Sequence, residues 1–135
     1  MRLTLLFLAL ATPAAAQRAL TAEEFEALVT GRTLTYGEAG MPPYGIEHYF
    51  PNRRVTWAWI ESDECMEGVW YESDAFGDPA ICFEYEDDLD PQCWRVFREG
   101  DGLRAEFLND GDEGGQVLYE IVEEPGGLVC GGVGV

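Results

Sequence analysis

The chain of 135 residues contains no lysine; all eight of its basic residues are arginine, against 26 acids. It has one histidine, His48, and no Cys-x-x-Cys pair among its four cysteines. Each shortage excludes something. A chain of net charge -18 with so few bases repels nucleic acid and anionic membrane surfaces, so neither is an expected partner. One histidine and no close cysteine pair leave no ligand set for a structural zinc and no thioredoxin-like redox motif. There is no Gly-x-Ser-x-Gly elbow and no glycine-rich loop opening a helix, which removes the common hydrolase and nucleotide-binding signatures. No apolar run reaches the ~18 to 20 residues that span a bilayer as a helix.

The longest apolar run opens the chain. MRLTLLFLALATPAAAQ has a basic start at Arg2, a short apolar stretch and the small residues Ala14-Ala15-Ala16. That is the form of a cleaved export signal, residues 1–16, cut after Ala16. No cysteine follows the cut, so no lipid anchor is expected there. The mature part, residues 17–135, forms one domain. Its charge is -19, because removing 1–16 from a chain of -18 takes away Arg2 and no acid. Aromatic and β-branched residues run throughout, which separates it from a disordered acidic tail. The expected location is the periplasm or the exterior.

One helix is legible at Leu20–Val29. Thr21 with Glu24 forms a capping box, Leu20 and Phe25 have staple spacing, and Gly31 stops it. Beyond it the apolar period changes from the helical one to two. Tyr44, Ile46, His48 and Phe50 alternate with Gly45, Glu47 and Tyr49. Further two-residue patterns follow around Val55–Ile60, Val69–Tyr71, Ile81–Glu86, Trp94–Val96, Leu103–Phe107 and Val117–Ile121, with a short one at Leu128–Cys130. Turn residues separate them. The pattern predicts an all-β antiparallel meander that closes into a small barrel or folds into a sandwich, with one short N-terminal helix.

An even number of cysteines in an exported chain reads as disulfides. Cys82 and Cys93 flank the tip Asp87-Asp88-Leu89-Asp90, so a symmetric hairpin sets them face to face. Facing strand residues lie ~4.5 Å apart at Cα, within bridging range. Cys65 and Cys130 then pair. The acids of the tip, like those of Asn109-Asp110-Gly111-Asp112-Glu113, are possible calcium ligands, yet neither segment has the EF-hand spacing; they read as solvated turns, and no metal or other cofactor is expected.

The aromatics are the candidates for function. Trp57, Trp59, Trp70 and Tyr71, with His48, are the expected lining of a ligand site in the barrel mouth. No catalytic set stands out, since carboxylates are too many to single out a pair. The leading expectation is an exported, non-catalytic domain that binds a small ligand or a protein partner. The alternatives are a small hydrolase using carboxylates with His48, and a structural or inhibitor-like envelope protein.

The segments Tyr44–Phe50, Arg53–Trp57, Gly68-Val69-Trp70-Tyr71, Ile81–Asp87 and Pro91-Gln92-Cys93-Trp94 resemble a group of small exported bacterial proteins of unknown function. The Gly-x-Trp…Ile-Cys…Cys-Trp core is also similar to secreted β-meander domains described as lipocalin-like. The resemblance implies an all-β fold and export, and carries no catalytic residues with it.

Overall fold

A computed structural model describes residues 17–109, 111, 115–123, 127–130 and 133–134. The expected export signal lies outside these residues, as do Asp110, Asp112 and Glu113. Eight antiparallel strands close into a barrel in simple meander order. They are β1 (Thr33–Gly37), β2 (Pro43–Phe50), β3 (Arg54–Trp59), β4 (Cys65–Ser73), β5 (Ala80–Tyr85), β6 (Gln92–Glu99), β7 (Gly102–Phe107) and β8 (Val117–Glu120). The short pair β9 (Val129–Cys130) and β10 (Val133–Gly134) forms a separate ribbon. The choice between barrel and sandwich is therefore settled as a barrel.

The strand that closes it, β1, was not anticipated. Its partners are Gly45–His48 and Pro43 of β2 on one side and Tyr119–Glu120 of β8 on the other, with Ile121 N–H donating to the Thr35 carbonyl. Leu34 and Tyr36 point into the core cluster. The segment Thr-Leu-Thr-Tyr-Gly does alternate, but it is only five residues long and follows directly on a helix stop.

Helix α1 (Ala22–Val29) forms as its residues require. Thr21 Oγ1 accepts from Glu24 N–H, and the Glu24 side chain reaches back to the Thr21 N–H, so two otherwise unpaired donors are satisfied. The helix buries Ala22, Phe25 and Val29 and lies over one end of the barrel. Phe25 meets Tyr49, Trp70 and Phe83 edge to face, at ring separations of 5.6, 5.1 and 6.3 Å. Ala22 N–H donates to Glu72 at the end of β4, and Arg53 of the β2–β3 turn bonds Glu26. This end is thereby shut.

Both disulfides pair as the hairpin geometry requires. Cys82 faces Cys93 across β5 and β6 with Cα atoms 4.0 Å apart, and Cys65 joins Cys130 at 5.3 Å. Two bridges fit an oxidising compartment. No helix among the described residues is long and apolar enough to cross a membrane.

Candidate functional site: the open end of the barrel

In a meander, alternate loops share an end. The loops β1–β2, β3–β4, β5–β6 and β7–β8 lie opposite α1, and between them the barrel opens. The cavity is lined on β2 and β3 by Tyr44, Glu47, Trp57 and Trp59, on β5 by Phe83 and Tyr85, and closed below by Phe25. Its interior volume is about 70 Å³, on a scale where one water needs roughly 10 to 15 Å³. Counted as all the space between its walls, open solvent included, the same cavity measures about 680 Å³. The barrel thus holds a small well that opens to solvent. That suits a small molecule.

Trp57 can lie across the wall because its ring passes over Gly45, two residues along β2 from its partner Glu47; any Cβ there would overlap the indole. Around it, Tyr44, Trp57 and Trp59 form a corner of rings. Trp57 and Trp59 are 5.4 Å apart and nearly perpendicular, and Tyr44 meets Trp59 edge to face at 4.9 Å. Trp59, 42% exposed, sits at the rim.

Below the corner is a carboxyl inside an apolar barrel. Glu47 is only 4% exposed. Tyr85 Oη donates to its Oε1 at 2.7 Å, and Tyr49 Oη to its Oε2 at 3.3 Å; the Tyr49 hydroxyl also pairs with that of Tyr36 at 2.8 Å. No basic side chain lines the cavity. Burial pushes the Glu47 carboxyl up to about 8, and the two tyrosine bonds, which favour the ionised form, oppose that shift without cancelling it. The same burial raises the hydroxyls of Tyr36, Tyr49 and Tyr85. Burial thus favours the uncharged form of this hydrogen-bonded tetrad.

Of the five residues expected to line the site, Trp57 and Trp59 do so. The other three are corrected. Trp70 is buried, but its ring faces Phe25 at the closed end, under the Arg53 guanidinium at 5.0 Å. Tyr71 is the next residue on β4 and faces outward, 37% exposed. His48 is on the outer wall. Its Nδ1 shares a 2.7 Å hydrogen bond with Thr33 Oγ1, and its ring touches Phe50. The alternation on β2 was read correctly, but the face carrying Gly45, Glu47 and Tyr49 is the inner one. Glu47 was accordingly missed. The available signal was its register: it stands opposite Leu34 and Trp57, both inward.

The acidic tip is a turn in which Asp87 Oδ1 accepts from Leu89 N–H at 3.1 Å. Among the described residues no three His, Cys, Asp or Glu side chains come together as a metal site.

No family model, no curated protein and no solved structure matches this chain.

Proposed function

We propose that this is an exported, periplasmic or secreted, non-catalytic barrel that takes a small ligand into its open end. The observation that carries the reading is the aromatic corner of Tyr44, Trp57 and Trp59 standing over a preformed well, with a few polar groups fixed at its floor. Small-ligand sites combine a mostly apolar concave surface with a small number of placed polar atoms. The polarity of the walls supports a barrel that works in water. Glu67 and Glu84 face outward in the exposed surface, while the interior is aromatic and aliphatic; a membrane barrel has the reverse pattern. The hydrolase alternative loses support from the geometry. Glu47 and His48 are successive residues of one strand, on opposite faces of the wall, and cannot act on one substrate.

The test uses the tryptophans of the lining, Trp57, Trp59 and Trp94, as reporters. Titration with a panel of small neutral and charged amphiphiles should give at least one saturable change in tryptophan emission, with a matching rise in melting temperature. Ala105 lines the well, so Ala105→Phe should fill it and abolish that response. No saturable response across the panel, or a response unaltered by Ala105→Phe, overturns the reading.

A further inference from the structure

We infer that the ligand taken at the open end is a small organic ammonium ion, held by the ring corner of Tyr44, Trp57 and Trp59 above the Glu47 carboxyl. This deepens the small-ligand reading and rests on it.

Three independent features converge. The first is the rings themselves. Three mutually tilted rings within 4.9 to 6.1 Å of one another line the cavity, and ring faces attract cations, most strongly those of tryptophan. The second is Glu47, the one carboxylate in the lining, with no arginine among the cavity residues to neutralise it. A buried acid held by two tyrosine hydroxyls and lacking a basic partner is a counter-ion in waiting for a positive charge arriving from outside. The third is the field at the mouth. Three loops around the opening read EAGMP, IESDE and EDDLDP, and no base occurs in any of them; the described residues of the fourth, Leu108, Asn109, Gly111, Gly115 and Gln116, add none. The arginines lie at the other end or on the outer wall. Arg18 and Arg53 are tied to α1, Arg32 to Glu120, Arg95 to Asp78, and Arg104 to Glu99 and Glu106. An approaching cation therefore meets one sign of charge at the entrance, then π faces, then a carboxyl. An anion is repelled at every stage.

The well sets the size of the ligand. It admits an ammonium head with its methyl or methylene groups and leaves any longer substituent in the mouth, beside Gln92 and Gln116.

The groups facing Glu47 are Tyr36 from β1, Tyr49 from β2 itself and Tyr85 from β5, all of which hold their protons through the neutral range. Affinity for a cation should accordingly rise as pH increases towards and past 8, where Glu47 ionises. The loop acids, being exposed, contribute a part that salt weakens.

The experiment compares choline with 3,3-dimethyl-1-butanol, the same shape with carbon in place of the charged nitrogen. Both are titrated calorimetrically and by tryptophan emission at pH 6 and pH 8.5. Choline should bind at least about tenfold more tightly than its neutral isostere, more tightly at pH 8.5 than at pH 6, and less tightly in 0.3 M than in 0.02 M NaCl. Glu47→Gln should weaken choline and remove the pH dependence while leaving the isostere unchanged. Trp59→Leu, at the exposed rim, should weaken choline without loss of fold. Equal binding of the two compounds, or tighter binding of the alcohol, overturns the cation assignment and leaves the small-ligand reading standing. Failure of both compounds overturns the assignment, and failure of the whole amphiphile panel as well removes the reading beneath it.

Discussion

Glu47 is the residue at which folding stability is most exposed to pH. Its carboxyl has an ordinary value of 4.5 and is pushed up to about 8 in the fold. Below pH 4.5 it is protonated in folded and unfolded chains alike. Between 4.5 and 8 the unfolded chain loses its proton and the folded chain keeps it, so folding stability falls as pH rises. At 1.36 kcal/mol per unit the full span corresponds to about 5 kcal/mol, an upper bound. Glutamine has no charge to bury; its carbonyl oxygen still accepts from Tyr85, and its NH2 group can donate to the Tyr49 hydroxyl in place of the bond that Oε2 accepts. Glu47→Gln should therefore be more stable than the parent at pH 8, by roughly 2 to 3 kcal/mol, and about equal at pH 4.5. Urea denaturation at the two pH values measures the difference, and the titration of the many exposed acids cancels between the two proteins. A variant less stable than its parent at pH 8 would show that the buried carboxyl carries no such cost. The reason this residue escaped sequence reasoning is specific. Alternation divides β2 into two faces but does not say which is inside, and Tyr44, Ile46, His48 and Phe50 are the more apolar set. Register against Leu34 and Trp57 decides the matter, and register is a property of three strands together.

The two straps differ in what they hold. Cys82–Cys93 closes a hairpin with a separation of 11 residues; Cys65–Cys130 spans 65 and ties β9 to the start of β4. In the chain-entropy account these spans contribute about 3 and about 4 kcal/mol. Cys65→Ala with Cys130→Ala should thus cost more than Cys82→Ala with Cys93→Ala, and denaturation of the two double variants tests the order. The reverse order would mean that native packing around the buried Cys82 outweighs loop length. At this scale the sequence was largely readable. The capping box of α1, the cysteine pairing and most of the strand spacing depend on neighbours in the chain or on a single hairpin. Two features were not legible. The stretch Val117–Ile121 shows its alternation but not which face turns inward; that of β8 is the one carrying Leu118. β1 is too short to stand out from the helix stop before it. The pairing of these two strands with each other, at Tyr36 with Glu120 and Gly37 with Tyr119, is a contact between segments far apart in sequence.

At the scale of the whole molecule, acids are spread and bases are segregated. Among the described residues, arginines are held at the α1 end and on the wall, and the opposite rim carries acids and no base. Self-repulsion of so acidic a chain opposes the compact state, and it should be relieved by screening. Raising NaCl from 10 to 150 mM shortens the Debye length from ~30 to ~8 Å, so the melting temperature should rise over that interval. A fall would mean that the surface ion pairs, such as Arg18–Glu24, outweigh the repulsion; exposed pairs are worth too little for that.

Closure by β1 against β8 also fixes an order of events. Chains emerge N-terminus first from a ribosome or an export channel. β1 finds β2 at once, yet its other edge has no partner until the last barrel strand has arrived. Until then the interior aromatics have no complete wall around them, and Cys65 has no Cys130. The closed wall therefore cannot exist before β8 is in place. The closing contact joins distant segments and is of the kind that forms slowly because loop-closure entropy must be met first. A barrel sealed by its first and last strands encloses its aromatics only when every strand between them is present.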